Sequence, residues 1–598
     1  MSRGEVWAFP TRLNGRRLTV AQVVVVARPE QAGGRSTISL TTRARRAVAA
    51  SRRALLERCG PIYGLTSGVG ALDAKVVDAI DRAPLALLRS HAVGLGAPLP
   101  DDVVRAMMVV RLQQLAAGAS GVRPALLDAL AALLTHGVTP VVPALGSIGA
   151  SDLAPLAYVG RVLAGEGAAR VDGEVVAAAE ALARHELSPY AFDGRDALGL
   201  INGPALTAGQ GALAVADAVR WLDAAESAAA ISLTALGAPA TTLDARAVDG
   251  KQHPRATEVA RRLAAHADLV QPENRGVQRE PLSTRALPHV LGTARDALEL
   301  AREVIESELS ACIDNPMIAP DGWLTNNASN GDTTRLGLAL DHLADAMGAV
   351  AAQAERRIAR LLDGERGLPP FLLHAGARPG VDSGLMIAQY AAAAAVADIA
   401  GRSGASALRT LPVSRGTEDY NPMGACAAQR VANAVARSAD VIAIELLAAA
   451  QALDVGPRQA ADGSRAAAVH ARLRMEVPAM IHDRPVGDDI AAVRGWVQEG
   501  GLDAARRRAD PRSASVGVAQ EIVAPAYGMV GERAASGVGV GGGEDDLGEE
   551  QLLAHRPELG SDAHTRERVA DGPPGALVGG GPGDERGRGA DGALGDDA

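Results

Sequence analysis

Aromatic residues are scarce in this 598-residue chain: four Trp, six Tyr and three Phe, 2 % of the total, stand against 47 % hydrophobic residues. An interior without large rings must be filled by Ala, Leu and Val, a composition that favours closely packed helices over sheets. Cysteine is nearly absent. Cys59, Cys312 and Cys426 are too few and too dispersed for a disulfide framework or a metal cage, which points to a reducing compartment and to burial as small hydrophobes. No run reaches the ~18 apolar residues needed to cross a bilayer, and the N-terminus lacks the apolar core of a secretory signal. A cytoplasmic protein without a membrane partner is expected. Positive charge is in deficit, with 60 Lys and Arg against 70 Asp and Glu for a net charge of −10. No basic cluster with interleaved aromatics offers a surface to a phosphate backbone, so nucleic acid is not expected as a partner.

What is present is helical periodicity. Between Asp321 and Leu368 there is no proline, and Leu336, Leu340, Leu343, Met347, Val350 and Ile358 recur at three-and-four spacing, one apolar stripe on a long helix. The proline-free run Met423 to Val455 has the same character, and Met386 to Ala400 lies between them. The fold class expected is mainly α, a central bundle of long rods. Residues 1–200 read as an N-terminal domain with several glycine-rich breaks, and 201–505 as the long-helix bundle with C-terminal helices. Residues 506–598, where Gly, Asp and Arg alternate without apolar periodicity, read as a disordered tail that cannot offset its ordering entropy.

One break carries chemistry. Residues 144–160 read Ala-Leu-Gly-Ser-Ile-Gly-Ala-Ser-Asp-Leu-Ala-Pro-Leu-Ala-Tyr-Val-Gly, with Ser151 following Gly146 and Gly149. In so flexible a run a backbone nitrogen can bend back onto the carbonyl carbon two residues earlier and close a five-membered ring. Loss of water from the ring and from the serine then leaves an exocyclic methylene, a strong electrophile.

This segment resembles the methylidene-imidazolone signature of the aromatic amino acid ammonia-lyases, the histidine, phenylalanine and tyrosine lyases, which runs Gly-Ser-(Val/Ile)-Gly-Ala-Ser-Gly-Asp-Leu-Ala-Pro-Leu. The glycine between Ser and Asp is missing here. The resemblance therefore implies an electrophile made from Ala150, Ser151 and Asp152, where Asp152 brings a Cβ to a position that glycine's tolerance of strained backbone angles suits. Matches continue from about Leu18 to Gly501, nearest to the histidine lyases. The resemblance implies the long-helix bundle of the ammonia-lyase and fumarase-like type, a homotetramer with shared active sites, and no metal or dissociable cofactor.

Site residues follow motif by motif. Tyr63-Gly64-Leu65-Thr66-Ser67-Gly68-Val69-Gly70 is similar to the family's Tyr-Gly-(Val/Ile)-(Asn/Thr)-Thr-Gly-Phe-Gly and makes Tyr63 the implied base, which requires donors or positive charge to lower a phenol pKa near 10. His91, in Ser-His-Ala-Val-Gly, and Glu418, in Thr-Glu-Asp-Tyr-Asn-Pro-Met-Gly, resemble histidine-lyase positions and suit an imidazole substrate. Asn202, in Leu-Ile-Asn-Gly, has an amide able to donate to the ring carbonyl or accept from the substrate amine. Arg285, in Pro-Leu-Ser-Thr-Arg, falls on the arginine that holds the substrate carboxylate, and Gln278 on a substrate or ring contact. Met386 lies in Ser-Gly-Leu-Met-Ile-Ala-Gln, the histidine-lyase Ser-Gly-Phe-Met-Ile-Ala-Gln.

Two departures widen the choice: Leu282 stands where the family has a catalytic Tyr, and Ser329 where it places a Phe against the substrate. Elimination of ammonia from L-histidine to urocanate is the first expectation. A phenylalanine or tyrosine lyase or aminomutase is the second, and a helical oligomer that has lost the reaction is the third.

Overall fold

The computed structural model describes residues 9–271 and 279–502. Gln278 and the expected tail at 506–598 lie outside the described residues, which all belong to one compact unit. Six helices, numbered here in chain order, organise them: α1 Asp101–Ala116, α2 Ala205–Leu236, α3 Leu287–Leu309, α4 Thr334–Leu362, α5 Met386–Gly401 and α6 Gly424–Val455. The last three match the proline-free stretches of the sequence. Alanine, the best helix former, dominates α2 and α6 and lets backbones approach closely; α2 stops at Gly237, whose φ of +60° forms a left-handed C-cap.

Contacts between helices fix their directions. Arg430 of α6 bonds Asp341 of α4, Ser438 donates to the Met347 carbonyl, and Glu445 pairs with Arg357, so α4 and α6 run parallel. Helix α2 runs with them, since Thr207 packs on Gly424 and Ser232 donates to Glu445. Helix α3 runs the other way: the Leu282 and Ser283 carbonyls just before it accept from Gln353 and Arg357, late in α4.

The centre of the bundle holds an ion pair. Glu445 accepts from Arg357 Nε at 2.6 Å and Nη2 at 2.7 Å, with both side chains buried. Ser232 Oγ adds a bond at 2.8 Å and Arg357 Nη1 reaches the Ser283 carbonyl at 3.2 Å, so the charged groups are bonded rather than stranded.

The body is not purely helical. Phe9–Leu13 pairs in parallel with Ser36–Leu40, and three further small sheets lie among the described residues. The cysteine expectation also changes: Cys59 is exposed and Cys312 and Cys426 are only half-buried, so none is a core hydrophobe.

Candidate active site

Thr207, Thr333 and Gly424 stand at the N-terminal ends of three parallel helices, α2, α4 and α6, and all three meet residues 149–152. Thr333 Oγ1 donates to the Gly149 carbonyl at 2.7 Å, and Met423 N donates to the Ile148 carbonyl at 2.8 Å. A fourth helix, Leu153–Leu163, begins immediately after Asp152. Helix N-termini carry partial positive charge from their unpaired N–H groups, so the segment lies at a shared positive pole.

The segment is tightly held. Ser151 has φ +66°, a left-handed conformation uncommon outside glycine, and its N–H donates to the Gly331 carbonyl at 3.0 Å. A Cβ added to Gly331 would lie 2.2 Å from Ser151 Oγ, and one added to Gly149 would lie 2.3 Å from Gly424 N. Glycine at both places is therefore a condition of the approach.

Asp152 is fully buried, and its amide donates to the Gly203 carbonyl at 2.9 Å. Its carboxylate accepts from Thr207 N at 2.9 Å and Thr207 Oγ1 at 3.2 Å, as well as from Ser147 Oγ, and so caps α2 from outside that helix. Burial pushes its carboxyl above the usual range, and the bonds from Ser147, Thr207 and Leu206 oppose that rise. The Asp152 side chain is thus engaged away from its own backbone nitrogen.

Asn202 ends the short helix Asp196–Ile201 and faces Ser151, whose Oγ donates to Asn202 Oδ1 at 2.8 Å. Its Nδ2 is spent on Asp314 Oδ1 at 3.1 Å and the Asn315 carbonyl at 2.8 Å. Of the two roles open to this amide, the geometry leaves the acceptor.

Tyr63 lies in a loop seated on the same short helix: a Cβ at Gly64 would lie 2.0 Å from a Leu198 methyl, and one at Gly194 would lie 3.2 Å from Leu65. Its hydroxyl accepts from Gly70 N at 2.7 Å, and its own N–H donates to Asn326 Oδ1 at 3.1 Å. Burial holds the phenol above its usual range, with Glu418 and Asp73 adding to the rise, against smaller pulls from the Gly70 bond and Arg195, so the lowered pKa that the base role calls for is not what the free site provides. Glu418 reaches the area because its loop closes onto the Tyr63 loop, where Ser414 Oγ accepts from Ala71 N at 3.2 Å. Burial and then Asp419 raise the Glu418 carboxyl.

His91 ends the helix Ala83–His91, which packs on Leu153–Leu163, and the Val93 carbonyl abuts Gly146. Its Nδ1 is 3.0 Å from the Leu87 carbonyl, so that nitrogen carries the proton and Nε2 is left as an acceptor. Burial lowers its pKa, against the pull of that bond. Ser329 is exposed in the 326–331 turn, where Asp332 N donates to its carbonyl.

Arg285 and Met386 are not part of this group within one chain. Arg285 is exposed, with Nε on the Glu280 carbonyl at 2.9 Å, in the turn Leu282–Arg285 that packs near Gln353 and Arg357. Met386 opens α5, whose Gln389 bonds Glu355. Along α4 those partners lie some twenty residues from Thr334, which at 1.5 Å per residue puts both about 30 Å from Ser151.

Sequence reasoning missed the layer beneath. Arg195 and Asp314 are fully buried and bonded to each other, and Arg111, also buried, is 3.7 Å from Asp314. Arg111 Nε donates to the Leu200 carbonyl at 3.0 Å, and burial, despite Asp314, brings its pKa down to about 10, with Arg195 adding to the drop. Arg111 was visible as a lone charge among apolar neighbours in Met-Met-Val-Val-Arg-Leu. Among the described residues no group of three His, Cys, Asp or Glu side chains is placed to hold a metal ion, and no helix is long and apolar enough to cross a membrane.

Comparison with known proteins agrees with this arrangement. The family model for aromatic amino acid lyases matches residues 18–475. A histidine ammonia-lyase of Symbiobacterium thermophilum is 39 % identical over 504 residues, covering 82 % of this chain and 97 % of its own. One of Sorangium cellulosum is 37 % identical over 520 residues, covering 82 % and 98 %. Among solved structures, histidine ammonia-lyase from Trypanosoma cruzi superposes with a TM-score of 0.76 at 26 % identity, over 88 % of this chain and 100 % of that one. Tyrosine aminomutase from Streptomyces globisporus gives 0.75 at 30 % identity, over 83 % and 98 %. With its long-helix bundle and its Ser151 segment at the shared helix pole, the chain belongs to the aromatic amino acid lyase family.

Proposed function

We propose that this carbon–nitrogen lyase eliminates ammonia from L-histidine to give urocanate. The observation that carries the reading is Ser151 held at a shared helix pole and bonded to Asn202, in a chain 37–39 % identical to proteins named histidine ammonia-lyase. Residues 1–200 would supply the Tyr63 loop and the segment around Ser151, and 201–505 the rods that hold them.

Ala150, Ser151 and Asp152 fit the methylidene-imidazolone group. Ser151 is already turned back on itself at positive φ, Gly331 leaves room only because it has no Cβ, and the Asp152 side chain is anchored on α2 clear of its backbone nitrogen. Formed there, the group would supply an electrophile for the substrate amine at a site where helix N-termini favour developing negative charge.

The remaining roles fall to side chains. Tyr63 Oη takes the β-proton, with the Gly70 N–H donating to it throughout. Asn202 Oδ1 accepts from the substrate ammonium. Glu418 and His91 Nε2 are acceptors suited to an imidazole N–H, a match that an unsubstituted phenyl ring cannot make. Arg285, as the carboxylate clamp, and Met386 would come from neighbouring subunits of a homotetramer, because both lie about 30 Å from Ser151 in their own chain, and Gln278 is a further substrate or ring contact. The scarcity of cysteine supports a cytoplasmic setting.

A phenylalanine or tyrosine lyase or aminomutase is the second reading, favoured by the tyrosine aminomutase neighbour at 30 % identity. A scaffold that has lost the reaction is the third, favoured by Asp152 in the place of glycine. Intact mass separates the last from the others: ring formation removes two waters, and an unshifted mass rejects the electrophile. Urocanate, cinnamate and coumarate absorbance with the matching amino acids then decides the substrate, and the absence of urocanate rejects the histidine reading.

A further inference from the structure

Asn202 caps the Asp196–Ile201 helix and is held between Ser151 on one side and the segment 313–316 on the other. Ser151 Oγ donates to its Oδ1 at 2.8 Å, while its Nδ2 donates to Asp314 Oδ1 at 3.1 Å and to the Asn315 carbonyl at 2.8 Å. A side-chain amide has an accepting and a donating end of nearly equal size, so its orientation is set by what faces each end. Both groups that face Nδ2 can only accept. The Asn315 carbonyl has no proton to give, and Asp314 Oδ1 already takes N–H bonds from Asn315 N at 2.8 Å and from Arg195 Nη2. Burial pushes the Asp314 carboxyl up against the pull of Arg195 and Arg111, but a proton would go to Oδ2 and leave Oδ1 accepting. Two buried arginines keep that oxygen in place. Arg195, directly before the helix, also donates to the Asn315 and Pro316 carbonyls at 3.2 and 3.4 Å. Arg111 donates from Nε to the Leu200 carbonyl near the end of the helix at 3.0 Å, and from Nη1 to the Ile313 carbonyl at 3.3 Å. The helix that ends in Asn202 is thus tied at both ends to the segment that carries Asp314.

We propose that Asp314 is a positioning residue that fixes the Asn202 amide with its oxygen toward Ser151, and that its accepting oxygen, not its charge, performs this task. The inference rests on the reading of Asn202 Oδ1 as the acceptor for the substrate ammonium. Turned round, the amide would set its oxygen against Asp314 Oδ1 and the Asn315 carbonyl, and an N–H against the ammonium. Substrate binding would then be opposed at the very group meant to receive it. Asp314 acts only through Asn202 and touches no substrate atom.

Two substitutions on the full chain separate the oxygen from the charge. Asp314→Asn keeps an accepting oxygen for Asn202, Arg195 and Asn315 N and removes the charge, whereas Asp314→Leu removes both at similar size. Both lose the ion pair with Arg195, so both should unfold at lower urea than wild type. Turnover is measured as kcat/KM for whichever of L-histidine, L-phenylalanine and L-tyrosine the wild type consumes. Asp314→Asn is expected to stay within about threefold of wild type and Asp314→Leu to fall about tenfold or more, the worth of a hydrogen bond to a charged group. A purely structural ion pair would lower the two alike, and equal values in the two variants overturn the inference. If Asp314→Leu does not fold, Asp314→Asn decides alone: retention within about threefold supports the inference. An Asp314→Asn chain that fails to fold, or that loses more than about threefold, overturns it, because the charge would then be what counts. Failure of the lyase reading appears separately and before any variant is made, as a wild type with unshifted intact mass and no turnover.

Discussion

Replacing Glu308 by Gln is expected to stabilise the protein at alkaline pH and to do little at acid pH. Glu308 is the last residue but one of α3, half-buried, with Oε1 enclosed and without a hydrogen-bond partner among the described residues. Burial first, then the charges of Asp152 and Asp332, push its carboxyl from 4.5 to about 7, against a smaller pull from Arg335. The folded chain therefore holds this proton more tightly than the unfolded chain. The stability that goes with it is complete below pH 4.5 and is lost as pH rises through about 7. At about 1.4 kcal/mol per pH unit the gap is worth about 3 kcal/mol, reduced to between about 1 and 3 where water screens the other oxygen. Gln has the shape of the neutral acid and no charge to desolvate. Urea unfolding of wild type and Glu308→Gln at pH 4.5 and pH 8 gives a double difference in which all unchanged groups cancel. The variant should match wild type at the lower pH and exceed it at the higher by that amount. Parallel stabilities at both values, or a weaker variant at pH 8, would refute the account of Glu308 as a strained carboxylate.

Two further substitutions probe the helix pole and the bundle. Gly331→Ala puts a Cβ 2.2 Å from Ser151 Oγ while the backbone there requires no positive φ, so the chain should fold, retain the mass of both waters and show little lyase activity; a variant that has lost both waters relative to its own sequence mass would refute the close approach. Glu445→Gln leaves the buried Arg357 guanidinium without its counter-charge and should cost about 3–5 kcal/mol in urea unfolding, whereas a loss below about 1 kcal/mol would show that the pair is not what locks α2, α4 and α6 together.

Much of the helical body was legible because its signal is local. The stripe from Leu336 to Ile358 and the absence of proline define α4 to within a few residues, and the run after Met423 defines α6. The small sheets were not legible, since Leu95–Pro98 has no alternating pattern and is a strand only because Pro143–Leu145 lies beside it. Cys59 illustrates the same limit: composition says that cysteines tend to be buried, and only tertiary packing decides which are. In the site, Tyr63 and Asn202 stand out because glycines flank them. Asp314 and Arg195 lie 119 positions apart, and Arg111 and Ile313 lie 202 apart, so nothing local to any of them reveals the shared charge.

The direction of the rods explains why the proposed site is divided. Parallel α2, α4 and α6 bring three N-termini to one place, and that pole suits an electrophile at Ser151 better than any single helix could. The same arrangement carries whatever is attached to the far end of α4 about 30 Å away, including the turn with Arg285 and the start of α5 with Met386. An antiparallel bundle would shorten that distance but would mix positive and negative helix ends around Ser151. Under the lyase reading, a chain that keeps the pole has to obtain its carboxylate clamp from another copy. Assembly is then a condition of the chemistry, because Ser151, Tyr63 and Asn202 alone provide an electrophile, a base and an amine acceptor with nothing to hold the substrate's carboxylate.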